Sequence, residues 1–174
     1  MKLVSVLLLA LVTALPAFAQ QATREDFKEF CSAMAGRWVG DVTWIMDWPG
    51  FGKRGDKVTG YSECRIVEDG SALAGRFFGG PGSSTWMTVY DAGAKQIRNS
   101  GSDSGGTTCV AIIYKKDGKW MSAEKGSHAD GTKYEALYTV TISDNGNTHR
   151  WTGSTKITGK KADELNDVWR RVSK

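Results

Sequence analysis

The apolar residues that follow residue 20 recur with a helical period. Four of them fall at intervals of three and four residues, as on one face of a helix: Phe27, Phe30, Cys31 and Met34. Thr23 precedes this face and can cap a first turn that carries acidic residues, and Gly36 follows it as a common helix terminator. The pattern therefore predicts a short helix over about 23–34.

After Gly36 the period becomes two. Every second residue from 38 to 46 falls on one face of an extended chain, and the residues between them fall on the other face. This predicts a long first strand with an aromatic face: Trp38, Gly40, Val42, Trp44 and Met46. A glycine-rich turn follows over about 48–55. Asp-Gly pairs such as Asp117-Gly118 then punctuate the chain, and these are strong hairpin signals. Between the turns lie nine further strand-like runs: about 57–67, 71–78, 85–91, 95–100, 107–115, 119–126, 133–142, 148–157 and 167–173.

Ten strands joined by hairpins predict an all-β fold. A flat meander would leave two unpaired edges and a large aromatic surface in water, whereas closing the sheet removes the edges and buries one face of each strand. We therefore expect a single antiparallel up-and-down β-barrel of about ten strands, with a short N-terminal helix docked on it. Six aromatic residues are candidates for its interior: Trp44, Phe77, Trp86, Trp120, Tyr138 and Trp151.

Residues 1–19 have the pattern of a secretory signal peptide. Lys2 precedes the apolar run Leu3–Leu15, and a small-residue cleavage site ends at Ala19. The run is too short for a transmembrane helix. We therefore expect an exported protein, periplasmic or secreted, with residues 20–174 as one barrel domain and no membrane span.

Composition agrees with a barrel. The predicted domain holds all 21 glycines and all seven tryptophans but only three leucines, which argues against a helical bundle with its Leu-rich stripes. The net charge is +4, and no run of basic residues is longer than two. Nucleic acid is therefore not an expected partner.

The two ends of the predicted barrel carry a family resemblance. A G-x-W motif at Gly36–Trp38 opens the first strand, and Arg170 and Arg171 fall in the last one. This combination resembles the lipocalin and fatty-acid-binding (calycin) superfamily, in which an arginine near the last strand packs over that tryptophan. The resemblance implies that Arg170 or Arg171 covers the Trp38 indole and closes one end of the barrel, a favourable cation–π geometry.

A second resemblance is to uncharacterised exported bacterial proteins with such barrels. The shared pattern is G-x-W-x-G at Gly36–Gly40, Tyr90-Asp91 before a hairpin, and a D-S-x-G-like segment at Asp103–Gly106. No activity is assigned to these proteins. The resemblance therefore implies a fold and no mechanism.

Two glycine-rich segments are similar to catalytic or cofactor motifs. Asp103–Gly106 resembles the nucleophile segment of trypsin-like proteases, but those enzymes place histidine before the serine, and His128 and His149 follow it here. Gly50–Gly55 has the spacing G-x-G-x-x-G, but a strand is predicted after it where a dinucleotide site needs a helix. We interpret both as loops, the second at a pocket mouth where its two basic residues would meet an anionic ligand.

The histidines, the strand glutamates and the cysteines each allow more than one interpretation. Two histidines are too few for a protein-only zinc site. Either is a candidate haem ligand by resemblance to a related haem-binding barrel, or a solvent-exposed residue at a strand end. Three glutamates lie in predicted strands, where two inward carboxyls would form an acid–base pair: Glu63, Glu124 and Glu135. Three cysteines allow one disulfide and one free thiol, or three buried thiols: Cys31, Cys64 and Cys109.

The first functional hypothesis is a binding module, a hollow barrel that holds a small, mostly apolar ligand. Arg98 is its predicted polar partner for an anionic head group. The predicted wall residues are aromatic: Trp44, Trp86, Trp120 and Tyr138. Two alternatives stay open: an enzyme, such as a hydrolase or isomerase with its site at the barrel mouth, and an envelope interaction protein whose core is purely structural. Apart from the haem alternative, no cofactor or metal is predicted, and the oligomeric state stays open.

Overall fold

The computed structural model describes residues 21–173, so the predicted leader lies outside the described residues. Within that range, no helix has the length and apolar character needed to cross a membrane. The described residues form one α-helix and ten strands: α1 (Arg24–Met34), β1 (Gly36–Thr43), β2 (Lys57–Val67), β3 (Ala72–Gly79), β4 (Gly82–Asp91), β5 (Gln96–Asp103), β6 (Thr108–Lys116), β7 (Lys119–Ser127), β8 (Lys133–Ser143), β9 (Thr148–Ile157) and β10 (Lys160–Ser173).

Each strand is antiparallel to its neighbours in sequence, and β1 also pairs with β10, so the sheet closes on itself. This up-and-down topology confirms the predicted all-β barrel. Asp117 and Gly118 both have positive φ, 51° and 74°, as the two central residues of a tight hairpin turn require. β10 begins at Lys160, earlier than predicted, because its first residues pair with β9 directly across the turn at Thr158-Gly159.

The helix α1 plugs one end of the barrel. Thr23 and Asp26 form a capping box, in which each side chain accepts the other residue's backbone N–H at 3.0 and 2.8 Å. The predicted apolar face is buried in one cluster with side chains from the ends of five strands: Leu73, Ile97, Ile113, Trp120 and Val140. We call this end of the barrel the plugged end.

The first strand ends at Thr43, before the predicted alternation stops. Residues 44–46 are all buried, which a strand with one face in water does not allow. The chain instead crosses the opposite end of the barrel and returns, with the Trp44 N–H donating to the Asp56 carbonyl oxygen over 3.0 Å. We call residues 44–56 the mouth loop and this end of the barrel the mouth.

Arg171 closes the plugged end. Alternation along β10 places Trp169 and Arg171 on the inner face, and the Arg171 guanidinium lies 4.0 Å from the centre of the Trp38 ring. Arg170 points outwards, where it forms an ion pair with Asp41 at 3.1 Å. Of the two arginines that the resemblance suggested, the geometry therefore places Arg171 over the indole.

Candidate functional site

A cavity of about 330 Å³ lies inside the barrel. Phe30 and Met34 of α1 line it at the plugged end, and Trp48 of the mouth loop lines it at the mouth. Its walls are mainly apolar and aromatic: Leu73, Phe77, Trp86, Ile113, Trp151 and Trp169. Ligand pockets range from about 300 to 1,000 Å³, so this cavity matches a small ligand.

The four predicted wall residues occupy different places. Trp86 lines the cavity. Trp44 lies in the mouth loop, within an aromatic cluster, and its buried indole nitrogen has no hydrogen-bond partner among residues 21–173. Trp120 packs edge-on against a helix phenylalanine in the core of the plugged end. Tyr138 is buried, and its hydroxyl is hydrogen-bonded to the Thr155 hydroxyl at 2.7 Å.

Arg98 lies outside the barrel. Ile97 is fully buried, so the alternation of β5 directs the next side chain outwards. The Arg98 guanidinium is half-exposed and forms an ion pair with Asp91 at 3.3 Å. It does not line the cavity, and within the described range no lysine or arginine does. Among residues 21–173, the cavity therefore offers no lysine or arginine to pair with an anionic head group.

Glu124 is the inward-facing member of the three glutamates. Tyr134 donates its hydroxyl to Glu124 Oε1 over 2.7 Å, while Oε2 has no hydrogen-bond partner among residues 21–173. Glu124 is partly buried and lines the cavity. Burial raises the pKa of Glu124, and the Tyr134 hydrogen bond opposes only part of that rise.

The other two glutamates lie on the outer face. Glu63 forms an ion pair with Arg65 at 2.8 Å, and Glu135 lies 3.8 Å from Lys156. The three glutamates therefore do not supply a pair of inward carboxyls. The second inward carboxyl comes from Asp167, which the sequence analysis did not single out.

Asp167 lines the cavity from β10 and is buried. Burial raises the pKa of Asp167 to about 6, and a hydrogen bond from the Thr43 backbone N–H, at 3.4 Å, acts in the opposite direction. Asp167 is two residues before Trp169 on the same strand, so the two-residue period was a signal for its inward direction.

The raised pKa of Asp167 predicts a pH-dependent gain in stability for Asp167→Asn. Ionisation of a group whose folded pKa lies above its ordinary value destabilises the folded state, so stability falls as pH rises from about 4 to about 6. Asparagine cannot ionise and still accepts the Thr43 N–H. Urea denaturation should show a gain of roughly 1–3 kcal/mol at about pH 8 and almost none at about pH 4.

Asp41→Asn is the control for this experiment. Asp41 is exposed on the outer face of β1, so its replacement should change the free energy of unfolding by less than about 0.5 kcal/mol at either pH. An Asp167→Asn variant whose difference from the wild-type protein is the same at both pH values would contradict the prediction.

The segment Asp103–Gly106 holds the mouth loop in place. Asp103 Oδ1 accepts the N–H groups of Gly105 and Thr107 at 2.8 and 2.9 Å, and Oδ2 accepts the Trp48 indole N–H at 2.7 Å. A Cβ at Gly105 would lie 1.8 Å from the Pro49 carbonyl oxygen, so only glycine permits this approach of the two loops. The D-S-G-G motif therefore has a structural role, which is to fix the position of the mouth loop.

Ser104 lacks the partner that a nucleophile needs. Its hydroxyl oxygen accepts the Ser83 backbone N–H at 3.0 Å, and within the described part of the chain no histidine is hydrogen-bonded to it. His128 is instead hydrogen-bonded to Thr107 through Nδ1 at 3.1 Å. These contacts agree with the interpretation of this segment as a loop.

Neither histidine fits a haem. His149 Nδ1 accepts the Trp151 indole N–H at 3.0 Å, and burial lowers the pKa of His149 to about 4, so the ring is neutral at pH 7. Aromatic rings pack against both imidazoles, so a porphyrin at either one would have to displace them: Trp38 and Trp169 at His149, and Trp48 and Tyr134 at His128. Within residues 21–173, no group of three or more metal-ligating side chains is found.

The three cysteines are free thiols. Burial raises the pKa of Cys31 and Cys64 to about 11 and that of Cys109 to about 12. A thiol with so high a pKa carries almost no thiolate at pH 7 and is a poor nucleophile. The cysteines therefore contribute packing rather than chemistry.

No protein-family model matches the chain, and a search of curated proteins finds no significant relative. The closed ten-strand barrel, with an arginine over the tryptophan of its first strand, is consistent with a calycin-like fold.

Proposed function

We propose that the protein is a binding protein that holds a small, mostly apolar molecule inside its barrel. The observation that carries the proposal is the interior cavity of about 330 Å³, whose walls are mainly apolar and aromatic with a few polar groups among them. Its volume corresponds to about eleven water molecules at liquid density. Transfer of an apolar molecule of that size from water to these walls is favourable.

Export and a calycin-like relationship are parts of the same proposal. The leader-like pattern of residues 1–19 supports export to the periplasm or beyond the cell. The barrel topology, the helix over one end and the contact of Arg171 with Trp38 support the relationship. A barrel closed at one end by a helix and at the other by a loop suits a carrier that shields its ligand from water.

An enzyme is the second candidate, because Glu124 and Asp167 are inward carboxyls with raised pKa values, as general acids are. Binding is favoured for two reasons. Among residues 21–173, neither carboxyl is hydrogen-bonded to a histidine, serine or cysteine side chain. The largest part of the lining is apolar surface that offers binding energy and no chemistry.

A cavity-filling variant tests the proposal. Ser84 lines the cavity from β4, and Ser84→Phe places a ring where the ligand would lie. Calorimetric titration with 2-phenylethanol, a probe of nine non-hydrogen atoms, should give a dissociation constant of about 10 μM to 1 mM for the wild-type protein. We expect Ser84→Phe to weaken binding by at least about tenfold.

Ser100→Phe is the matched control, because Ser100 is exposed on the outer face of β5 and the same ring there leaves the cavity unchanged. Native mass spectrometry of each preparation shows whether a host molecule already occupies the cavity before titration. Equal affinities of the Ser84→Phe variant and the wild-type protein, or no binding by an empty wild-type protein, would contradict the proposal.

A further inference from the structure

The charges inside the cavity narrow the class of ligand. Resting on the proposed function, we propose that the ligand is a small organic amine, whose ammonium group pairs with Glu124 while its apolar body lies against the aromatic walls. The inference depends on which charges line the cavity, on the geometry of Glu124 and on the rings around it.

Among residues 21–173, the charged side chains that line the cavity are acidic. Glu124, Asp167 and Asp103 line it, and within the described range no lysine or arginine does. Arg98 lies on the outer face in an ion pair. Arg171 is engaged above Trp38 and donates to backbone carbonyl oxygens at the plugged end. A ligand with a carboxylate or phosphate would therefore meet carboxyl groups and, among residues 21–173, no lysine or arginine to pair with it.

Of the three carboxyls, Asp103 already accepts hydrogen bonds at both of its oxygens. It accepts two backbone N–H groups and the Trp48 indole N–H, and these contacts hold the mouth loop. Asp167 accepts one long hydrogen bond, at 3.4 Å, from the strand next to it. Glu124 is the best placed to bind a ligand, because it lines the cavity and its Oε2 accepts no hydrogen bond from residues 21–173.

Among residues 21–173, no lysine or arginine lines the cavity beside Glu124. The titratable groups that face it are Cys109 on β6 and Tyr134 and Tyr138 on β8, and all three are neutral at pH 7 because burial raises their pKa values. A buried carboxylate without a cation is disfavoured, and burial raises the pKa of Glu124 accordingly. An ammonium group that reaches the free Oε2 supplies the missing positive charge and stabilises the ionised carboxylate.

The aromatic lining fits the same ligand. Trp48, Trp86, Tyr134 and Trp151 all line the cavity. The face of an aromatic ring attracts an ammonium group within about 6 Å, and more strongly where water is excluded. Rings that bury an apolar body therefore also favour a cation over an anion at the same place.

Three probes of similar size and different charge test the inference. They are 2-phenylethylamine, 2-phenylethanol and 3-phenylpropanoate, which are a cation, a neutral molecule and an anion at about pH 7.5. Calorimetric titration of the wild-type protein should show the amine binding at least about tenfold more tightly than the alcohol, and the carboxylate binding more weakly than either.

Glu124→Gln tests the residue. Glutamine keeps an acceptor for the Tyr134 hydroxyl and removes the charge. The variant should bind the alcohol within about twofold of the wild-type affinity and lose the tenfold preference for the amine. Glu135→Gln is the control, because Glu135 lies exposed on the outer face of the adjacent strand and its variant should keep that preference.

A pH series on the wild-type protein tests the same point without a variant. Because the ionised carboxyl is the form that pairs with the amine, and burial raises the pKa of Glu124, affinity for the amine should rise as pH increases, while affinity for the alcohol stays constant. This series stands even if Glu124→Gln does not fold.

The outcomes separate this inference from the proposed function. Alcohol binding as tight as amine binding, tighter binding of the carboxylate, or an amine preference that survives in Glu124→Gln would overturn the inference and leave the binding function in place. If none of the three probes binds an empty wild-type protein, the proposed function fails as well.

Discussion

The Arg171→Ala variant is expected to lose about 3 kcal/mol of its free energy of unfolding. The wild-type guanidinium lies 4.0 Å from the centre of the Trp38 ring and donates hydrogen bonds to the carbonyl oxygens of Ala33, Ala35 and Gly146. Alanine removes the cation–π contact and these hydrogen bonds together. Urea denaturation followed by tryptophan fluorescence measures the loss.

The size of this effect follows from the position of Arg171 at the end of α1. The last carbonyl groups of a helix have no partners within it, and the last turn of α1 contains no basic residue. The Trp38 indole N–H donates to the Met34 carbonyl oxygen at 2.8 Å, and Arg171 donates to the carbonyl groups on either side of Met34. The last strand therefore supplies the positive charge and the donors that the helix lacks, and it holds the plug on the barrel.

The neighbouring arginine is the control. Arg170 is exposed and paired with Asp41, so Arg170→Ala should change the free energy of unfolding by less than about 0.5 kcal/mol. Arg171→Lys keeps the charge but not the planar fork, and an intermediate loss of about 1–2 kcal/mol is expected. Equal losses in Arg170→Ala and Arg171→Ala would show that Arg171 does not close the barrel.

Hydrophobic periodicity was sufficient to predict the architecture. The three-and-four spacing from Phe27 to Met34 placed the helix, and two-residue alternation with Asp-Gly turns placed ten strands, because both depend on which side of a local element meets water. The same two-residue period also indicates which side chains of a strand point into the barrel. Ile97 and Trp169 fix the inner faces of β5 and β10, and from them Arg98 and Arg170 point outwards while Asp167 and Arg171 point inwards.

The mouth of the barrel could not be predicted in this way. At residues 44–46 consecutive side chains are buried because the chain crosses the barrel end, and that contact is tertiary. The tight approach of Pro49 to Gly105 joins segments more than fifty residues apart. Whether the barrel is hollow depends on the summed volumes of inward side chains from ten strands, and no local pattern contains that sum.

One determinant of the cavity wall is the pairing of Gly75 with Trp86. The two residues are opposite each other on β3 and β4, and a Cβ at Gly75 would lie 2.1 Å from the Trp86 indole. The ring therefore lies flat across the glycine, along the wall and not across the cavity. Glycine is required here for space, because any side chain would push the indole inwards.

Gly75→Ala is accordingly expected to lose about 1–3 kcal/mol of its free energy of unfolding and to bind 2-phenylethanol at least about tenfold more weakly. In a Trp86→Leu background the smaller side chain leaves room for the new methyl group, so the same change should lose less than about 0.5 kcal/mol. Urea denaturation of the four proteins in this cycle gives the coupling energy, about 1–3 kcal/mol.

Gly93→Ala serves as the control, because a Cβ there meets only the Asp91 side chain at an ordinary 3.4 Å. Its effect on stability should stay within about 0.5 kcal/mol in either background. A coupling energy near zero between positions 75 and 86 would mean that the loss in Gly75→Ala comes from the strand backbone. In that case the absence of a side chain at position 75 would not explain why the Trp86 indole lies along the wall of the cavity.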